Sequence, residues 1–525
     1  MKVLVADPIS ERGVARLQEG GLKVDVRTGL PAADLLGCIG DYDGLIVRSQ
    51  TKVTADLIAA AGRLKVVGRA GVGVDNVDVG AATARGIVVL NAPEGNTVST
   101  AEHTWAMLMA VARSLPQACQ SLKEGKWDRK SFLGVELQGK TLGVVGLGRV
   151  GSQVARRAQA FGMRVLAFDP YLSAERAEQA GVEVATVGQI VEEADFITVH
   201  TPLTAETKHL FGAAEFARMK DGVRLVNCAR GGIFDEAALL AALEAGKVAG
   251  AALDVFSEEP PTDFALVRHP RVIVTPHLAA STFEAQENVA LDVAAEVVRF
   301  LRDEPVKNAV NLPSLPPELA GRVRPYLALA ERVGRFAGQM LPGRIRRAEV
   351  LYQGGLAELP SAPLTAAAVK GLLDAILSEG VNMVNALYLA KERGIKLSEV
   401  REGEDGYANL LRLQIVTEAG ALSVAGSLFG AGEAHIVEID GYQLNVAATG
   451  HLLVTRHVDR PGVVGKVGTL LGEAGVNIAG MQVGRKVPGG EAVMVLAVDE
   501  PVPPETLAAI ARVPGIDGAR LVSLD

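Results

Sequence analysis

Arg230, Glu259 and His277 are residue types that can act together on a hydroxyl next to a carboxylate. Arg230, in Asn227-Cys228-Ala229-Arg230-Gly231-Gly232, offers a planar fork that can pair with a carboxylate and polarise the neighbouring oxygen. His277, between Pro276 and Leu278, can take the hydroxyl proton while a hydride leaves the same carbon. Glu259, in Asp254-Val255-Phe256-Ser257-Glu258-Glu259-Pro260, can accept a hydrogen bond from the other ring nitrogen, fixing the tautomer and favouring the imidazolium. Singly, each also reads as an ordinary surface or turn residue, so the case rests on their shared placement.

That placement comes from a nucleotide-binding pattern. Gly146-Leu147-Gly148-Arg149-Val150-Gly151 follows the apolar run Leu142 to Val145 and opens a helix, and Asp169 stands at the end of the next strand. The glycines permit a tight turn and close backbone approach, and the helix N-terminus receives a pyrophosphate. Asp169 accepts ribose hydroxyls and repels a 2′-phosphate, so NAD is expected over NADP. Ligands of open α/β sheets bind beyond the carboxyl ends of the strands. Gly146, Asp169, Thr201, Cys228 to Arg230, Asp254 and His277 all fall there.

The elements behind these positions read as βα repeats. From Met1 to Ala92, strand-like runs at Lys2 to Ala6, Gly44 to Val47, Val66 to Val67 and Val88 to Leu90 alternate with helical spacing. A helix from Thr97 to Arg113 leads to six further strands ending at Thr275, a doubly wound sheet. Ser281 to Arg302 is helical. Leu312 to Pro317 is the clearest linker, and the chain beyond it is expected to fold separately. Residues 318–449 contain helices (Glu318 to Met340, Ala366 to Ala390) and then strands (Leu410 to Thr417, His435 to Ile439), with no legible chemistry. Residues 450–525 run βαββαβ, the ferredoxin-like order.

The chain has 525 residues, enough for three or four domains; 49% hydrophobic and 22% charged residues describe a globular protein. A net charge of −8 argues against nucleic acid as a partner. Cys38, Cys119 and Cys228 form no CxxC pair, so no metal site or disulfide framework is expected, and the cytoplasm suits them. The N-terminus reads as a first strand and not as a leader, and no apolar run is long enough to span a bilayer.

Residues 1–310 resemble the D-2-hydroxyacid dehydrogenases, on the glycine motif, the segment around Arg230, Asp254 to Pro260, and Pro276-His277-Leu278. The resemblance implies that Arg230, Glu259 and His277 are the catalytic set. It also implies cofactor contacts from Val72, Gly146, Gly148, Arg149, Val150, Gly151, Asp169, Thr201, Cys228, Asp254 and Ala280. The substrate domain is then 1–96 plus 281–310, closing on an NAD domain at 97–280. Ile46-Val47-Arg48-Ser49, Val67 to Asn76 and Asn91 to Asn96 resemble the branch that acts on 3-phosphoglycerate, giving 3-phosphohydroxypyruvate in serine biosynthesis. Arg48 and Arg69 each follow an apolar strand and can meet a phosphate, with Gly71 and Asn96 completing the substrate contacts.

The C-terminal segment resembles an ACT domain, in His457 to Gly465 and Gly475 to Ile478; Asp459 and Asn477 are the expected ligand residues, L-serine the implied effector. Residues 318–449 resemble the intervening domain of the long form by position and length. Trp127 lies in a segment that meets a neighbouring subunit in the family, so a homo-oligomer, dimer or tetramer, is expected. Alternative readings are another D-2-hydroxyacid dehydrogenase, a 2-oxoglutarate reductase, and an NADH-sensing binding protein.

Overall fold

The computed structural model describes residues 1–524 except Ser314, Glu379, 404–406 and Ala431. Ser314, in the expected linker, lies outside the described residues. Four sheets organise the chain. The first is parallel, in the order β2-β1-β3-β4-β5, built from β1 (Lys2–Val5), β2 (Lys23–Val26), β3 (Gly44–Val47), β4 (Val66–Arg69) and β5 (Val88–Leu90). β3 is buried along its whole length and β4 all but at Arg69, as strands covered on both faces require.

The second sheet is also parallel, ordered β12-β11-β10-β9-β6-β7-β8. It comprises β6 (Thr141–Val145), β7 (Arg164–Phe168), β8 (Glu183–Val184), β9 (Phe196–Val199), β10 (Val223–Asn227), β11 (Val248–Leu253) and β12 (Val272–Val274). Both α/β units match the expected fold class. Two strands, β2 and β8, lie outside the sequence expectation. Each is an edge strand with charged residues and little burial, so it lacks the apolar run that announces an interior strand.

Two helices tie the units together. The connecting helix Thr97–Arg113 leaves the first unit and packs on the second sheet, burying Ala101, Trp105, Leu108 and Val111. The return helix Phe283–Leu301, capped by Thr282 accepting from Ala285 N at 3.1 Å, carries Val289, Val293, Val297 and Leu301 back against Val3, Val5, Ile46 and Val88. The strand-end edges of both sheets thus border one cleft.

Beyond the linker, a 24-residue helix, Pro317–Met340, and a second, Ser361–Asp374, pack together over a six-stranded sheet ordered β14-β13-β15-β16-β17-β18. Its strands are β13 (Ile345–Gly354), β14 (Lys396–Glu402), β15 (Asn409–Thr417), β16 (Ala421–Phe429), β17 (Glu433–Ile439) and β18 (Tyr442–Ala447). The single helix expected over Ala366 to Ala390 is divided: it ends at Asp374, and a separate helix runs Ala386–Glu392.

The last sheet is antiparallel, ordered β20-β21-β19-β22, from β19 (His451–Val458), β20 (Ile478–Arg485), β21 (Glu491–Val498) and β22 (Ile516–Ser523). With helices Val463–Glu473 and Pro504–Ala511 it is the βαββαβ unit expected. The last sheet packs its two helices in a core of its own around Leu453, Val467, Leu471 and Met494, and its other face shares a core with the intervening unit. Leu452, Val454, Val493, Val495 and Val522 join one cluster with Val333, Val350 and Val424. Contact with the catalytic half is also direct, since Val384 is buried against the first sheet's core and Asn382 Nδ2 donates to Gly86 O at 2.9 Å.

Candidate active site

The glycine motif folds into a cradle. Gly146, at φ +94°, turns β6 into the helix Arg149–Ala160, and a Cβ on Gly151 would stand 2.0 Å from Gly146 O. Gly148 is the N-cap, and a Cβ there would meet only open space, so the helix N-terminus faces the cleft bare. Val150 is half-buried behind it, and exposed Arg149 reaches across to Glu94 at 3.7 Å. Asp169, at the end of β7, accepts from Leu147 N at 3.0 Å and Tyr171 N at 2.9 Å, which fixes its carboxylate beside the turn. Thr201 Oγ1 is buried without a partner next to Gly146. An orphaned hydroxyl, a bare helix N-terminus and a fixed carboxylate together fit a dinucleotide.

His277 and Glu259 are brought together. His277 Nδ1 lies 2.6 Å from Glu259 Oε2, while Glu259 Oε1 accepts from Phe256 N at 3.1 Å. The hydrogen bond that His277 donates to Glu259 holds its imidazole above the ordinary value, against partial burial that pulls it down. Burial pushes the Glu259 carboxyl up, but the bond and charge of His277 outweigh it and leave the group below its usual range. With Nδ1 engaged, Nε2 is the nitrogen left for substrate. The residue adopts φ +55°, a left-handed conformation that costs a non-glycine residue about 1–2 kcal/mol.

Arg230 lies close enough for its positive charge to act on both partners. Its Nε donates to Asp75 Oδ2 at 3.1 Å and its Nη1 to Ala229 O at 2.7 Å, so it spans the cleft to the first unit. Arg69 extends from the end of β4 against Gly71, with its Nε buried and unpartnered. Burial first, then the charges of Arg230 and Arg48, bring the Arg69 guanidinium down to about 10. Arg48 anchors its loop through its amide, which donates to buried Asp7 at 2.6 Å, and its side chain donates to Pro8 O at 3.5 Å. Gly71 is buried with its carbonyl bonded to Ala92 N, and Val72 is exposed, its carbonyl accepting from Asn91. Asn96 precedes the connecting helix without a side-chain capping bond. Arg69 thus feels the charges of both Arg48 and Arg230, and Arg230 in turn acts on His277. Ala280 is half-exposed in the same turn, and an apolar cavity of about 440 Å³ lined by Phe256, Phe264 and Pro276 borders His277.

Two of the expected cofactor contacts have buried side chains. Cys228 lies behind the cleft wall, where burial raises its thiol above the usual range. The Asp254 side chain is fully buried and turned onto the strand-end turn, accepting from Leu278 N at 2.7 Å and Ala279 N at 2.9 Å. His103 and Asp75, which sequence reasoning missed, enter through partners some 150 residues away, a separation that no local motif signals.

A sequence family described as the NAD-binding domain of D-isomer specific 2-hydroxyacid dehydrogenases matches residues 105–279. The D-3-phosphoglycerate dehydrogenase intervening domain matches 322–440, and the ACT domain 451–515. A D-3-phosphoglycerate dehydrogenase of Archaeoglobus fulgidus is 49% identical, with all of both chains covered. One from Bacillus subtilis is 47% identical, over 100% of this chain and 99% of its own. The chain belongs to the D-3-phosphoglycerate dehydrogenase family. Its catalytic half is also similar to a D-lactate dehydrogenase of Aquifex aeolicus solved with NAD and lactic acid: 30% identity, TM-score 0.52, 58% of this chain and 96% of that one. As a member of this dehydrogenase family the protein is an NAD-dependent oxidoreductase with an ACT domain.

In that dehydrogenase frame the two expected effector residues do not meet within one chain. β19 and β20 run in the same direction on either side of β21, with Asp459 after the end of one and Asn477 before the start of the other. Eight residues of strand put them about 25 Å apart. Asp459 is held by Arg485 at 2.6 Å, and Asn477 by Asp499 at 2.7 Å. Among the described residues, no helix is long and apolar enough to cross a membrane.

Proposed function

We propose that the protein oxidises 3-phospho-D-glycerate to 3-phosphohydroxypyruvate with NAD, the entry to serine biosynthesis. The observation that carries the choice of substrate is Arg69, a buried guanidinium with an unpartnered nitrogen beside Arg48 and Arg230. Such a cluster favours an anion with a charge at each end, and a lactate-like substrate would leave it unpaired. Arg230 binds the carboxylate and orients C2. Arg48 and Arg69 hold the phosphate. His277 Nε2 takes the hydroxyl proton, and Glu259 keeps the ring oriented and stabilises the imidazolium. NAD, held by the glycine cradle and Asp169, would supply the acceptor for the hydride that leaves C2.

The test is NADH formation with 3-phosphoglycerate, D-glycerate, D-lactate and 2-hydroxyglutarate. A preference for D-glycerate over its phosphate overturns the role given to the arginines, and 2-hydroxyglutarate as the best substrate turns the phosphate site into a second carboxylate site. The domain limits proposed are 1–96 with 281–310, 97–280, 318–449 and 450–525. The reading includes a cytoplasmic location and a homo-oligomer, because Trp127 and Leu133, 79% and 89% exposed, are apolar side chains that a second copy would cover. Two copies are also what would bring Asp459 of one ACT domain to Asn477 of another, around L-serine. Flat serine titrations would reduce that domain to a scaffold.

A further inference from the structure

We infer that His103 is a positioning residue for His277, acting through Asp254 from the connecting helix; this rests on reading His277 as the acid/base. Asp254 holds the turn after β12 twice. Its carbonyl accepts the amide of His277 at 2.9 Å, and its carboxylate accepts the two amides of the next residues, Leu278 and Ala279. These bonds keep His277 in a left-handed conformation that an L-residue does not adopt unaided.

The carboxylate is itself held from the side. Thr275 Oγ1 donates to Asp254 Oδ1, and His103 Nε2 stands 3.3 Å from the same oxygen and 3.1 Å from Thr275 Oγ1. His103 is therefore a donor shared between two groups that fix the catalytic turn. One helical turn earlier, Ser99 Oγ lies 2.7 Å from Thr282 Oγ1, the N-cap of the return helix. Residues four apart share a helix face. The connecting helix thus grips residues 275–282 at both ends, and His103 is the grip nearer the reacting nitrogen. Without it, Asp254 can rotate away from the turn amides, the strained backbone relaxes, and the His277 ring leaves its line with C2. Displacements of this kind cost turnover more than binding.

The experiment compares His103→Ala, His103→Asn and His103→Gln with His277→Ala in the full-length enzyme, reading kcat, KM, NADH affinity by fluorescence and thermal midpoint. Expected for His103→Ala is about a tenfold loss of kcat, the effect of one buried hydrogen bond, with KM and NADH affinity within about twofold. Gln, whose amide can donate from a similar reach, should restore most of the turnover. Asn is too short and should behave as Ala, which keeps the comparison decisive if Ala folds poorly. In the His277→Ala background, His103→Ala should cost nothing further. The inference is overturned if kcat is unchanged in well-folded His103→Asn, if Gln recovers no more than Asn, or if the losses add. If His277→Ala itself keeps full turnover, the catalytic reading fails instead.

Discussion

With its Nδ1 held by Glu259 at 2.6 Å, the His277 imidazole keeps its proton to a higher pH than a free histidine. Oxidation needs the neutral ring as base, so its kcat/KM should rise as pH climbs through this raised value. Reduction needs the imidazolium and should fall over the same range. Glu259→Gln removes the charge that raises the value, so both limbs should move to lower pH, with about a tenfold loss in turnover; pH-rate profiles in both directions check this, and unmoved limbs would refute the pairing. At Arg69, replacement by Ala should raise the KM for the phosphorylated substrate about 10- to 100-fold, the worth of a charge-assisted hydrogen bond. The KM for NAD should stay nearly constant, since Arg69 belongs to the unit opposite the glycine cradle. Arg230, Glu259 and His277 could be singled out in the sequence because each sits in a short run of unusual composition at a strand end. Asp75 and His103 could not, because a solvated-looking acid and a mid-helix histidine acquire their meaning only from partners the fold supplies.

At the scale of elements, the second and third glycines of the cradle differ. Gly151 is packed against Gly146 O, so Gly151→Ala must push the helix off β6, lowering stability by about 1–3 kcal/mol and NAD affinity with it. Gly148 faces open space, so Gly148→Ala should leave the thermal midpoint nearly unchanged while weakening NAD binding at least tenfold, because its methyl would stand at the helix N-terminus expected to receive the pyrophosphate. Calorimetry with and without NAD separates the two effects. Buried strands such as β3, β6 and β9 are legible because uniform burial makes uniform apolar runs. β2, with the pattern Lys-Val-Asp-Val and one neighbour, carries no such signature. β14 escapes the sequence reading for a related reason, since its apolar Leu397 and Val400 stand singly among polar and charged residues.

Across the whole molecule, the boundary expected near residue 450 is crossed by a shared core on one face of the last sheet. Leu452, Val454 and Val495 lie in the same core as the intervening domain's Val350 and Val424, so those two units should unfold together. Differential scanning calorimetry should resolve a transition that NADH raises, from the cofactor unit, and a second that NADH leaves in place. Leu452→Ala should lower only the second, by about 2–4 kcal/mol of stability. Separate melting of the ACT unit would contradict the shared core.

The bridge from Arg230 to Asp75 also bears on how the substrate is captured. At that end of the cleft an incoming carboxylate exchanges with one already present, so few counterions are released and ionic strength has little purchase. The other end meets Arg69, whose Nε has no partner to give up. The salt sensitivity of substrate capture is therefore assigned to the phosphate and not to the carboxylate: KM should climb with added salt in the native enzyme, and Arg69→Ala should flatten that climb.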